Sequence, residues 1–325
     1  MQGGGCLAAG GRAHQENSLQ AGIRHQDRSV RMYRIVAVLG LMLGLLGSPF
    51  ALAGERLMLW EASSAKGTVY LFGSIHVCKA SCFPLSASVT RRLDASDALV
   101  LELDPARSEA QLGLLTAGMY PAGDSLQRKM SAGQWQVLER SLEKLGLPAP
   151  MMAGFRPWML SLTITLQAAQ QAGFDVSQGI DLWALERAGA QGKKVLELES
   201  VERQIAAASA GSEHEQLEAL QLLLQQVNAG RLPGMFEEMR QAWQRGDTSA
   251  LERLTAEGAP KGSSITYELL DRRNAEMADK LQKQFLPASR KLFVVVGAAH
   301  LVGPKGVPAL LAQQGFKLRQ LSDGD

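Results

Sequence analysis

Two histidines stand in the same local setting far apart in the chain. In "VYLFGSIHV" a run of strand-forming residues stops at Gly73 and delivers His76 three positions later; in "KLFVVVGAAHLVG" the apolar run 292–296 stops at Gly297 and delivers His300. Glycine at a strand end lets the backbone turn sharply or approach a ligand closely. An imidazole at such a point can ligate a metal, move a proton or simply cap a helix, and a lone Gly-x-x-His says little. Repetition says more. Of five histidines, His14 and His25 precede the folded part, His214 lies among acids in "GSEHEQLEAL" and reads as solvated surface, and the remaining two share one context. A carboxylate joins them from "DALVLELD", a nearly continuous apolar run that ends on Glu102. A lone buried carboxylate is costly, so Glu102 must be paired, ligating or protonated. Two imidazoles and one carboxylate with an open position can hold a divalent cation, polarise a carbonyl and activate water.

The elements that must bring these residues together can be read from periodicity. "LMLWEASSAKGTVYLFG" reads as a hairpin turning near Lys66 and Gly67, and a helix is expected from Pro84, with Val89 and Leu93 four apart. The run 98–103 has the character of a strand buried on both faces. From Ser108 to about Gly192 the pattern is helical, followed by a short strand in "KKVLELES". Further helices fit the span 201–285, with a weak point at Gly211. The last buried strand covers 292–296, a helix follows over about 306–314, and "FKLRQL" closes as an edge strand. Strands near both ends and helices between them predict an α/β fold, a central mixed β-sheet with flanking helices and a large helical insertion. In open α/β sheets ligands bind beyond the carboxyl ends of the strands, where His76, Glu102 and His300 all fall.

The first 53 residues stand apart. "MYRIVAVLGLMLGLLGSPFALA" has a basic start at Arg34, an apolar core over 35–46 and the triplet Ala51-Leu52-Ala53, the layout of a secretory signal starting at Met32 and cleaved after Ala53. A membrane anchor left uncleaved is the alternative. Residues 54–325 are expected to form one domain, periplasmic in a Gram-negative cell and free of the membrane once the signal is removed. Taking five arginines and two acids from 34 basic and 32 acidic side chains leaves 29 and 30, so no basic excess points to nucleic acid. Cys78 and Cys82 then remain as an even pair, and in an oxidising compartment they read as a local disulfide just after His76. A Cys-His metal cluster and a redox switch are the competing readings of the same two thiols.

The segments "GSIHV", "VLELD", "GID", "VLELES", "RRNAEMA" and "VVVGAAHLVG", in this order over 57–321, resemble the TraB/GumN family, related to the Tiki proteases and more distantly to erythromycin esterases and the haem-binding ChaN proteins. The resemblance implies an EreA/ChaN-like α/β fold whose active constellation is two Gly-x-x-His motifs and a glutamate, here His76, His300 and Glu102. In Tiki-like members it implies a protease dependent on a divalent metal such as Mn, Co or Zn. It also matches Arg156, in "FRPW", to a basic-Pro-Trp element, where the guanidinium could hold a substrate anion or bond to backbone at a helix start. Asp181 in "GIDLWALERAG" sits where a helix N-cap is expected, so it is either a cap or, with Arg273, an additional site residue. Glu199 ends a strand as Glu102 does and could be a fourth ligand, a general base, a cap or an ion-pair partner. Arg273 and Asn274 fall mid-helix, where asparagine has no local purpose, which points Asn274 towards the site.

Two functions follow as expectations. One is an exported metal-dependent hydrolase, peptidase-like, acting on a peptide or small-molecule amide or ester, with Glu102 as ligand or general base and Arg156 and Asn274 assisting. The other is a non-catalytic periplasmic protein that binds a peptide, a metal or haem in the same crevice. A metal-free general-base role for either histidine beside Arg156 is a third possibility.

Overall fold

The computed structural model describes residues 55–105, 107–257 and 264–325. The signal segment and its alternative as an anchor lie outside the described residues. Among the described residues no helix is long and apolar enough to cross a membrane.

Among the described residues six strands form one mixed sheet: β1 (Arg56–Ser64), β2 (Gly67–Ser74), β3 (Ala98–Leu101), β4 (Lys194–Glu197), β5 (Lys291–Gly297) and β6 (Lys317–Ser322), in the spatial order β4-β3-β5-β2-β1-β6. The hairpin expected at the start is β1 and β2, paired antiparallel from Ser64↔Gly67. The four strands β4, β3, β5 and β2 run parallel, and β1 is antiparallel to both its neighbours. Continuous apolar runs occupy the interior positions: β3 is buried along its length, and β5 from Leu292 to Val296. Both faces of these strands are covered by protein, which is why their sequences do not alternate. At the edge, β6 shows Lys317, Leu318 and Arg319 to solvent.

Helices cover the sheet and fill the insertion: α1 (Ala87–Asp94), α2 (Ser108–Ala117), α3 (Ala132–Lys144), α4 (Pro157–Gln171), α5 (Ile180–Ala190), α6 (Val201–Ala208), α7 (Glu213–Asn228), α8 (Leu232–Gln244), α9 (Thr248–Glu257), α10 (Arg272–Lys280) and α11 (Val307–Gln313), with shorter turns between them. The α1 helix starts later than Pro84 suggests, because the Ser86 side chain accepts from the Ser88 N–H and so fixes the first turn. The weak point at Gly211 is a real break. Gly211 has φ +83°, and Ser212 opens α7 with a capping box.

Two cores result. The larger packs the sheet against α1, α5 and α10, with Phe72, Phe293, Leu99 and Met277 among its members. The smaller belongs to the insertion, where Trp135, Leu138, Leu160, Ile164, Leu220 and Leu224 from α3, α4 and α7 pack on one another. Each such side chain contributes about 1.5–3 kcal/mol on full burial, so the insertion carries its own hydrophobic support beside the sheet.

Candidate metal centre

Because β3, β5 and β2 are parallel and adjacent, their carboxyl ends open on one side, and the residues after them meet there. Gly297 marks the meeting point. A Cβ placed on it would stand 3.4 Å from Glu102 Oε1, 3.6 Å from His300 Cδ2 and 3.7 Å from His76 Nε2. Its φ of −49° suits any residue, so what glycine supplies here is empty space rather than backbone freedom.

Glu102, one residue past β3, accepts from the Gly297 N–H at 2.6 Å through Oε1 and from Arg273 Nη2 at 2.6 Å through Oε2. Arg273, on α10, also donates through Nε and Nη2 to both oxygens of Glu199, each at 2.7 Å, and through Nη1 to the Leu269 carbonyl. Glu199 lies beside Glu102 because the strand pair β3/β4 continues past its ends, with the Glu199 N–H bonded to the Glu102 carbonyl at 2.9 Å. Two buried carboxylates share one buried guanidinium, an arrangement with one negative charge in excess.

His300 is buried in a short turn after β5. Its Nδ1 lies 2.6 Å from Asn274 Oδ1, and Asn274 Nδ2 donates to the Lys305 carbonyl at 2.9 Å. The second bond fixes which end of the amide is the acceptor, so His300 carries its proton on Nδ1 and turns the lone pair of Nε2 to the site. Burial, against the pull of Glu102, lowers His300 to about 4, so the ring is neutral at pH 7. Burial raises Glu102, but the charges of His300, Arg273 and His76 and the Gly297 N–H outweigh it and hold the carboxyl at about 2. With His300 neutral at pH 7, its ionised state there rests on Arg273, His76 and the Gly297 N–H.

His76 occupies the open side, with 63% of its side chain accessible. Its Nδ1 stands 3.2 Å from Asp181 Oδ1, at the start of α5. Crowding opposes its protonation, but the Asp181 bond and charge, with Glu102 adding, raise the imidazole to about 9. Solvent screens these charges at so open a ring, and no stability is assigned to them. The loop is held from both sides: the Ile180 N–H bonds to the Ile75 carbonyl at 3.1 Å, and Cys78 exchanges backbone bonds with Asp175. Gly179 passes so close that a Cβ would lie 2.7 Å from the His76 carbonyl. Cys78 and Cys82 form the disulfide, both buried.

The structure therefore gathers His76, Glu102, His300, Glu199, Arg273, Asn274 and Asp181. Asp181 is a correction to the capping role, since Gly179 is the N-cap and the Asp181 carboxylate turns instead to His76. Arg156 is not gathered with them. It begins α4, donates to the Met119 carbonyl at 3.2 Å and stacks over the Tyr120 ring at 5.1 Å, and these contacts leave it bonded to backbone at a helix start. The Gly297 N–H and the Lys305 carbonyl also contribute, and no side-chain motif announces backbone groups. A separate hollow of about 430 Å³ lies near the disulfide, lined by Phe72, Cys82, Trp243 and neighbours but by none of the gathered groups.

The side chains are of types that ligate divalent cations, and one pair has a compatible span. Two donors about 2.1 Å from one ion stand at most about 4.2 Å apart, and His300 Nε2 is 3.7 Å from Glu102 Oε1. The space that a Gly297 Cβ would fill lies between these groups and His76 Nε2. The donors are not closed into a ready cage: among the described residues no three His, Cys, Asp or Glu side chains form a complete cation-binding group.

Comparison with known proteins decides the lineage. The model of the TraB/PrgY/gumN family matches residues 58–320. The chain belongs to the TraB/PrgY/gumN family. It is 27% identical over 255 residues to the "Uncharacterized protein YbaP" of Escherichia coli (strain K12), covering 74% of this chain and 87% of the relative. An "Uncharacterized protein" of Treponema pallidum (strain Nichols) is 22% identical over 275 residues, covering 80% of this chain and 81% of the relative. No solved structure matches. Family membership agrees with the α/β architecture and with the two Gly-x-x-His segments, both of which fall inside the matched span.

Proposed function

We propose that this TraB/PrgY/gumN protein is an exported, metal-dependent hydrolase of peptide-like amides or esters, with His76, His300 and Glu102 as the metal ligands. The observation that carries the proposal is the convergence of His76 Nε2, Glu102 Oε1 and the His300 ring on the space beside Gly297. A divalent cation held there, manganese, cobalt or zinc, supplies an activated water and a polarised carbonyl.

The chain's own residues do the rest. Asn274 and Asp181 orient the two rings through Nδ1. Arg273 and the Gly297 N–H keep Glu102 ionised, and Glu102 Oε1 retains a lone pair beyond its backbone bond, enough to ligate or to accept a proton from water. Glu199 holds Arg273 in position from the far side and stands behind the ligands rather than among them. His76, on the solvent side, leaves the substrate its way in. The disulfide and the layout of residues 32–53 support export, to a compartment where thiols oxidise.

The test is elemental analysis of purified mature protein with His76→Ala and His300→Ala alongside, followed by turnover of a peptide library with added manganese, cobalt or zinc. Cation in the parent, loss from both variants and metal-dependent cleavage are expected. Cation content unchanged in either variant refutes the ligand assignment. Cation binding without cleavage under every metal would make the protein a binder of peptide, metal or haem rather than an enzyme. Fractionation and N-terminal sequencing check export, with a mature chain beginning at Gly54 expected.

A further inference from the structure

Ser74 has no place in the site described so far. It is the last residue of β2, it is 3% exposed, and its Oγ is a buried oxygen with no hydrogen-bond partner among the described residues. Buried hydroxyls in folded proteins are nearly always paired, so an orphan calls for a reason. Its position supplies one. In the parallel pair β2/β5, Ser74 is the register partner of Gly297. Partners in register send their side chains out of the same face, on strands about 4.8 Å apart. A Cβ on Gly297 points at Glu102 Oε1, the His300 ring and His76 Nε2. The preceding residue agrees with this sense: a Cβ on Gly73 would meet Ala298 and Leu301, on the opposite face. Ser74 thus leaves the sheet beside the three groups and on their side of it. Two other donors in the crevice are committed, since Arg273 is bound to Glu102, Glu199 and Leu269 and the Gly297 N–H to Glu102.

We infer that the Ser74 hydroxyl is the hydrogen-bond donor for an acyl oxygen of the bound substrate, the carbonyl of an amide or ester or the oxygen of a carboxylate. This rests on the proposed metal centre and extends it from holding a cation to recognising the group presented to that cation. A freely rotating hydroxyl suits the task, because it can follow the oxygen as its charge changes. Ser74→Ala removes the donor and adds no bulk.

The probe is acetohydroxamate, a small acyl compound that chelates metal through its oxygens, titrated calorimetrically into the full mature chain loaded with zinc or manganese. Metal content and thermal midpoint are measured on the same samples. Expected are equal metal content and midpoint in parent and Ser74→Ala, hydroxamate affinity weaker by about tenfold in the variant, and recovery in Ser74→Thr. Equal hydroxamate affinity in parent and Ser74→Ala overturns the assignment and leaves the metal centre standing. Loss of metal from Ser74→Ala makes Ser74 part of the cation site and overturns the substrate role. A parent that takes up cation but ignores acetohydroxamate also overturns it, and a parent that takes up no cation sinks the metal centre and the Ser74 role with it.

Discussion

Replacing Arg273 tests the electrostatics of the centre while leaving the three residues that face Gly297 unsubstituted. Arg273→Met keeps the apolar stem and removes the one guanidinium that Glu102 and Glu199 share; their side chains are only 11% and 3% accessible. Removing one partner of a buried pair leaves an uncompensated charge and costs about 3–5 kcal/mol, or about 6–20 °C in thermal midpoint for a domain of this size. The pH dependence distinguishes this from simple loss of packing. In the parent, Glu102 sits at about 2, below its unfolded value of about 4.3, so its contribution is complete above that value and is lost as pH falls towards 2. His300, lowered to about 4, adds a slope of the same sense between about 6.5 and 4. In Arg273→Met Glu102 is buried without its partner, so its folded pKa rises. The folded state then binds more protons than the unfolded one, and stability from this source falls as pH rises above about 4.3. Urea unfolding from pH 4 to 7 in the presence of chelator, parent against variant, reads both effects. A loss under 1 kcal/mol with the parent's pH slope retained would refute the assignment of Arg273 as the charge that holds this centre together.

Two further perturbations separate the empty space from its frame. Gly297→Ala puts a methyl where the three groups converge, at a backbone angle alanine tolerates; loss of cation uptake by elemental analysis is expected, with a thermal midpoint within about 2 °C of the parent. Replacing both Cys78 and Cys82 by serine opens the five-residue loop behind His76, which should cost about 2 kcal/mol by the loop-entropy relation and be read by urea unfolding; no change would mean that the Asp175 and Ile180 backbone bonds hold the loop unaided.

Much of this was legible in the residues. The strands β2, β3 and β5 announce themselves because burial on both faces demands apolar runs, and the histidines announce the site because they repeat one spacing at the ends of two of those runs. Asn274 was legible as an amide without local purpose. Asp181 was ambiguous, since an acid near a helix start satisfies a capping rule; only the N-cap at Gly179 shows that the first turn begins two residues earlier and frees the carboxylate. Arg156 was over-read in the other direction, for a guanidinium beside a proline looks the same in sequence whether it meets a substrate or the Met119 carbonyl. Ser74 gave no signal at all. A serine closing a strand is ordinary until the register sets it beside Gly297.

The pairing of β2 with β5 joins Thr68 to Lys291, contacts separated by roughly 220 residues of chain, whose loop-closure entropy must be met before the strands reward it. A ribosome still making the insertion has released His76 and Glu102 but not Gly297 or His300. A nascent or prematurely terminated chain thus carries His76 and Glu102 without Gly297 and His300, so the proposed centre cannot assemble until synthesis is nearly over.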